Sequence, residues 1–348
     1  MEDQSRAKLM PLQPAKWLLG LMAASMTVMP GQATRHPSPD ALLEEAARTA
    51  AEGNPDRLAE LAAQAAAIEP KSRLAHWLQA QAVLSLSGQA SVIRKPDQDL
   101  LSEARARAYV RPNGMLPDNI VYLSQSATMG GYLLLADLAV SRIYVFRSER
   151  GAPKLVDEFY TTLGLSGAPK LVEGDRKTPI GAYRLLKEIK NPRADGFLGR
   201  MAMTLDYPNA EDRQAKRTGY GIWIHGVPED VHVRPPKASD GCLAVANDDM
   251  IRLKKYVEYG KTHIVITPEV RWITPAEWTS RAVAARGRME SSLPGTLAIF
   301  EVDASRPVVS LREQAGEVQR VYWSRKPANL ASDKAGDLAL SPLIKERL

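Results

Sequence analysis

Cys242 is the only cysteine in the 348-residue chain, and it stands 17 positions after His225. A thiol is a strong nucleophile as thiolate, and a neighbouring imidazole can take its proton near neutral pH. His225 follows the strand-like run Gly221-Ile222-Trp223-Ile224 and precedes Gly226; Cys242 closes the small turn Ser239-Asp240-Gly241. Attack on an amide carbonyl also needs donors for the developing oxyanion. Gly241 has no side chain, so its backbone can approach a substrate closely. The N–H groups of Gly241 and Cys242 are therefore the expected oxyanion donors. Elsewhere a free cysteine is more often a small buried hydrophobe. A zinc site from His225, His232 and Cys242 would compete for the same residues, but their offsets of 7 and 10 fit no common ligand pattern. No metal or organic cofactor is expected. His263 lies on an apolar strand-like run, where an isolated histidine is usually structural.

The order of these residues resembles the L,D-transpeptidase (YkuD-type) catalytic domain. Its pattern is His-Gly, a spacer, then Ser/Thr-His-Gly-Cys, an apolar residue and Asn or Arg. This chain has His225-Gly226, a spacer, then Ser239-Asp240-Gly241-Cys242-Leu243-Ala244. Upstream, Gly174-Asp175 with Thr178-Pro179, Gly181 and Tyr183 is similar to the family's Gly-Asp-x-x-Thr-Pro-x-Gly-x-Tyr, and residues 137–146 resemble its opening hairpin. Asp240 replaces the usual His and Ala244 the usual Asn or Arg. Both departures resemble a looser branch that includes L,D-carboxypeptidase-like and amidase-like members. The resemblance covers roughly 132–268. It implies an α+β fold whose catalytic domain, over 130–268, is a mostly β, curved β-sandwich with the cysteine at the mouth of a groove.

The resemblance also implies an activity: acyl transfer on peptidoglycan stem peptides through an acyl-thioester, in cell-wall biogenesis and cell shape. Cys242 is the nucleophile, His225 the general base and acid, and the Gly226 carbonyl orients the imidazole. An amine acceptor gives transpeptidation; water gives carboxypeptidase or amidase chemistry. A wall-binding module without catalysis is the reading from another class, and the His225/Cys242 pair argues against it. Candidate substrate-binding residues are Tyr220, Arg234, Ser239 and Asp240, with Arg213 and Arg217 from an arginine-rich stretch at 191–218 that reads as a long flap. Arg binds carboxylates in a bidentate fork, and stem peptides carry free carboxylates.

The rest of the chain must carry and deliver this pair. Composition is that of a folded protein, 45% hydrophobic and 25% charged, with no bias towards disorder. The net charge of +6 suits an anionic polymer, yet no dense Lys/Arg run argues for nucleic acid. Arg6, Lys8 and Lys16 precede an apolar run at 17–29, followed by Gly31 and Ala33, the pattern of a cleavable signal peptide over 1–33 and hence of a periplasmic address, with an uncleaved anchor as the alternative. In an oxidising compartment structural cysteines come in pairs, so a lone thiol there suggests a job. Residues 41–110 show helical apolar spacing broken at Glu69-Pro70, similar to tetratricopeptide-type helix pairs. This segment reads either as a cap on the catalytic domain or as an arm docking a protein partner. Asn247 is the expected N-cap of a helix that Gly260 stops. Beyond 268 the pattern weakens, and 269–348 reads as a small appended domain or a partly disordered tail.

Overall fold

Four helices come first, and their caps are legible in the sequence. In the computed structural model, which describes residues 39–89, 97–124, 130–230, 234–290, 295–303, 305–325 and 340–348, they are α1 (Pro39–Glu52), α2 (Pro55–Ile68), α3 (Arg73–Leu86) and α4 (Gln98–Arg107). The expected signal peptide and His232 lie outside the described residues. Side chains of Asn54, Ser72 and Asp97 accept the first free N–H groups of α2, α3 and α4. Pro70 falls in the break between α2 and α3, as the residue pattern requires. Fully buried Ala46, Ala62 and Ala75 lie among Leu61, Leu74 and Leu78, so the helices own a small apolar core.

The helices meet the rest of the molecule through buried charge. Glu44 of α1 accepts from Arg142 at 2.6 Å. Arg107, at the end of α4, pairs with Asp40 at 3.2 Å and Glu103 at 2.9 Å. Arg142 also donates to the Arg107 carbonyl at 2.9 Å, an orphan carbonyl of the helix end. The Arg142 bonds fasten the segment as a cap, and the Arg107 pairs tie α1 to α4 within it.

The strands follow: β1 (Leu116–Pro117), β2 (Ile120–Leu123), β3 (Leu133–Asp137), β4 (Arg142–Glu149), β5 (Ala152–Tyr160), β6 (Leu163–Gly164), β7 (Gly181–Lys190) and β8 (Met201–Leu205), then α5 (Ala210–Gln214). Next come β9 (Trp223–His225), β10 (Lys237–Ser239), β11 (Leu243–Ala244), α6 (Asn247–Lys254), β12 (His263–Thr267), β13 (Trp272–Ile273) and α7 (Pro275–Glu290). The chain ends with β14 (Thr296–Glu301), β15 (Val308–Gln314), β16 (Glu317–Arg325) and β17 (Leu340–Arg347). An eight-stranded sheet runs β11-β9-β8-β7-β12-β3-β4-β5, and a five-stranded sheet runs β17-β16-β15-β14-β2. Every residue of β3, β8 and β12 is buried, which is why these strands read as continuous apolar runs rather than alternating ones.

Three expectations change here. The stretch at 191–218 is not one long flap: it contains β8, inside the large sheet, and α5. Residues beyond 268 form, over those described, α7 and the five-stranded sheet. Its Ala298, Phe300, Leu311 and Tyr322 share one apolar core with Leu134, Val145 and Ile264 of the large sheet. Finally, α6 ends at Lys254, before Gly260, and its N-cap is Ala246, with no side-chain cap bond.

Candidate active site

Strand register decides which side chains face out of the core. β9 and β11 run parallel, with Leu243 beside Ile224 and Ala244 beside His225. Alternation then sends Ile224 and Leu243 inward, where both are fully buried, and Trp223, His225, Cys242 and Ala244 to the opposite side. Those four line a cavity of about 470 Å³. Two short strands thus place a base and a thiol in one wall.

His225 is held from three directions. Its carbonyl accepts from Val245 at 2.9 Å, and the next N–H, of Gly226, donates to Met201 at 3.0 Å. The ring Nδ1 lies 2.5 Å from the Gly226 carbonyl oxygen. A carbonyl only accepts, so Nδ1 carries the proton and Nε2 keeps the lone pair, the tautomer a general base needs. Burial lowers the imidazole pKa, and the Gly226 carbonyl opposes this in part. The net shift favours the neutral ring.

Asn247 keeps this loop in place. Its Oδ1 accepts from the Val227 N–H at 3.2 Å and its Nδ2 donates to the Val227 carbonyl at 2.8 Å. A Cβ on Gly226 would lie 2.2 Å from that Oδ1, so a larger residue there would displace the Asn247 side chain from its two bonds. Asn247 is therefore not the helix cap its sequence context suggests but a clamp on the peptide after His225-Gly226.

Cys242 sits on a turn with similarly little room. Gly241 has φ +127°, and a Cβ there would lie 2.6 Å from the Lys177 carbonyl oxygen. The Ser239 hydroxyl donates to the Cys242 carbonyl at 2.6 Å and accepts from the Gly241 N–H at 3.1 Å. Ser239 thus braces the turn, and it also lines the cavity. The same bond corrects the oxyanion assignment: the Gly241 N–H is already engaged, which leaves the Cys242 N–H as the donor from this turn. The thiol accepts from the Trp223 N–H and has the Gly221 carbonyl as acceptor, both at 3.4 Å. Burial pushes the thiol up to about 11, the Trp223 N–H opposes this and Asp240 adds to it. Both shifts favour the neutral thiol and the neutral imidazole.

The upstream motif supports this turn. The Asp175 carboxylate accepts from the N–H groups of Leu171 at 2.8 Å, Val172 at 3.1 Å and Lys177 at 3.1 Å, and from Lys170 Nζ at 2.9 Å. Burial would raise its pKa, but these donors outweigh it and bring the group down to about 2. The Thr178 hydroxyl accepts from the Gly164 N–H at 2.9 Å. The loop so fixed presents the Lys177 carbonyl against Gly241.

Residues 131–266 match the YkuD family model, the L,D-transpeptidase catalytic domain. No curated protein matches the sequence. Among solved structures the chain is similar to Bd1075 of Bdellovibrio bacteriovorus, at 20% identity and TM-score 0.53, over 67% of this chain and 98% of that one. It is also similar to the helical cell shape determining protein Pgp2 of Campylobacter jejuni, at 16% identity and TM-score 0.45, over 70% and 99% of the two chains. At such identity the likeness to Bd1075 establishes a shared fold.

The other candidates of this YkuD-type domain divide. Tyr220, 77% exposed, and Asp240 line the cavity, as does Arg234. Arg213 and Arg217 do not. Arg213 donates to the Pro208 carbonyl at 2.6 Å and to Glu346 of β17 at 3.1 Å. Arg217 is engaged by Asp212 at 2.6 Å and by Glu211, both of α5. Their role as substrate ligands is thus corrected to bracing of α5, because carboxylates of the fold already occupy them. Arg193 and Phe197 of the same stretch do reach the cavity. His263 lies in β12, buried, with Nδ1 2.7 Å from the Lys261 carbonyl.

Proposed function

We propose that this protein is a cysteine L,D-transpeptidase that acts on peptidoglycan stem peptides in the periplasm. The observation that carries the reading is the common wall: His225, with Nε2 left as the base, and Cys242 line one cavity of about 470 Å³. His225 Nε2 takes the thiol proton as Sγ turns away from the Gly221 carbonyl. The thiolate attacks the carbonyl of the L-centre of a diaminopimelate residue that precedes a terminal D-Ala, and the Cys242 N–H receives the oxyanion. The C–N bond breaks, and the imidazolium returns its proton to the departing D-Ala amine. An acyl-thioester remains. An acceptor amine, deprotonated by His225, resolves it.

Asp240 favours an amine acceptor, since an exposed carboxylate on the cavity wall attracts an ammonium group. One observation favours water instead: Arg213 and Arg217 do not reach the cavity, so a carboxylate-bearing acceptor loses two of the contacts the sequence offers it. Incubation with a tetrapeptide muropeptide and a D-amino acid separates the two. Exchange of the terminal D-residue, or a cross-linked dimer, supports transpeptidation; release of tripeptide alone at every amine concentration makes the enzyme an L,D-carboxypeptidase. The periplasmic address rests on the N-terminal sequence pattern. N-terminal sequencing of exported protein should find a start near Thr34, and an intact Met1 on a membrane-bound form would overturn it.

A further inference from the structure

Arg234 lies eight residues before the nucleophile and belongs to two environments at once. It lines the catalytic cavity, and it lines an adjoining cavity of about 270 Å³ whose walls include Pro39, Asp40, Ile68 and Glu69 of the helical segment. The residue is 7% exposed. Its Nη2 donates to Asp40 at 2.5 Å, its backbone N–H donates to Glu103 at 2.7 Å, and its carbonyl accepts from the Tyr160 hydroxyl at 2.5 Å. The guanidinium lies 5.3 Å from the centre of the Tyr160 ring, which Arg107 also approaches at 4.3 Å. Arg107 holds the two acids in turn, through Asp40 at 3.2 Å and Glu103 at 2.9 Å. Backbone and side chain of Arg234 are therefore fixed by two carboxylates from the helical segment.

One buried guanidinium nitrogen is left over. Nη1 of Arg234 is buried and has no partner among the described residues. Arginine stays charged and presents its donors in a rigid fork that matches carboxylates, so a buried, unpartnered guanidinium nitrogen beside a cavity calls for an anion. The usual Asn or Arg two positions after the cysteine is Ala244 here, which offers no polar group.

We infer that Arg234 anchors a carboxylate of the donor stem peptide in the catalytic cavity, and that Asp40 and Glu103 of the helical segment are its positioning residues. The inference rests on the proposed function for the identity of the peptide. The helical cap is then part of the substrate site, supplying the geometry of its anchor from 194 and 131 positions away in sequence.

The test compares a stem tetrapeptide with the same peptide carrying a C-terminal carboxamide and a second analogue amidated at the diaminopimelate carboxyl. Arg234→Gln should raise KM for the acid peptide about tenfold, with kcat changed less than twofold, as expected for loss of a charge-assisted hydrogen bond. The analogue lacking the anchored carboxylate should show the high KM already in the wild type and respond little to the substitution. Asp40→Asn should raise KM for the acid peptide about fivefold, and that effect should vanish in the Arg234→Gln background, because coupled residues are not additive. Arg234→Lys should recover part of the loss. If Asp40→Asn does not fold, Glu103→Gln runs the same cycle. Equal KM increases for all three peptides, or additive effects of Asp40→Asn and Arg234→Gln, would reduce the cluster to a brace and overturn the inference. If the wild type turns over no stem peptide, the functional reading fails separately. The anchor is then read from alkylation of Cys242, where Arg234→Gln should slow iodoacetate several-fold relative to iodoacetamide; an unchanged ratio would overturn it.

Discussion

The wall that carries His225 and Cys242 and the seam beneath the helical cap are built by opposite means. The wall uses backbone. Register on two short strands, a glycine at Gly241 with no room for a Cβ, and the Asn247 clamp hold both reactive groups in surroundings that favour their neutral forms. The seam uses charge. Arg107, Arg142 and Arg234 are each over 90% buried and face Asp40, Glu44 and Glu103 across the cap. Burial is costly for ions but tolerable once they are paired, and breaking one partner leaves the other stranded. A neutral wall suits chemistry in which a proton must move, and a charged seam suits a joint that must not.

Changes that separate these two designs should have effects of different kind. His225→Gln removes the base and keeps the shape; kcat/KM should fall about 10³-fold with the melting temperature unchanged within error. A loss under tenfold would mean that the imidazole is not the base. Arg107→Met should do the reverse. It takes Arg107 away from Asp40 and Glu103, leaving Arg234 as their remaining partner, and should cost about 3 kcal/mol of stability in a urea titration, while alkylation of Cys242 by iodoacetamide in the folded protein keeps its rate. Asn247→Ala lies between the two: it frees the Val227 peptide and should lower kcat about tenfold, with KM nearly constant.

The wall's neutrality also predicts a pH profile. A histidine whose folded pKa is lowered stays neutral, and active, until pH falls through that lowered value. The acid limb of kcat/KM should therefore lie below 6.5, the value of an ordinary histidine. Iodoacetamide alkylation, which needs thiolate, should keep rising towards pH 11 instead of levelling near 9. A limb at or above 6.5 with alkylation already maximal at neutral pH would indicate a resting thiolate–imidazolium pair. The smallest effect belongs to Arg217→Ala, which should leave KM for stem peptide within twofold, since that guanidinium is engaged by Glu211 and Asp212.

The wall was legible in the sequence and the seam was not, for a physical reason. His225-Gly226 and Ser239-Asp240-Gly241-Cys242 are local patterns, and the strands β3, β4 and β12 carry apolar runs at 133–136, 143–146 and 264–266. Asp40 and Glu103 look like ordinary charges on amphipathic helices; their pairing with Arg234 spans 194 and 131 positions. The same blindness misassigned Arg213 and Arg217, since a loop arginine looks alike whether its carboxylate is a substrate or α5. Gly241 was singled out for the right flexibility and the wrong bond, because its N–H partner is the nearby Ser239 side chain. The five-stranded sheet is not legible because its strands read as weak patterns until β2, 173 positions before β14, pairs with them at one edge.

The central claim is that Cys242 carries the substrate's acyl group. Intact-protein mass spectrometry after brief mixing with a tetrapeptide muropeptide tests it most directly. The account predicts an adduct equal to the substrate minus D-Ala, mapped to Cys242, absent in Cys242→Ala and slow to form in His225→Gln. Full turnover by Cys242→Ala, with no adduct on either protein, would contradict it.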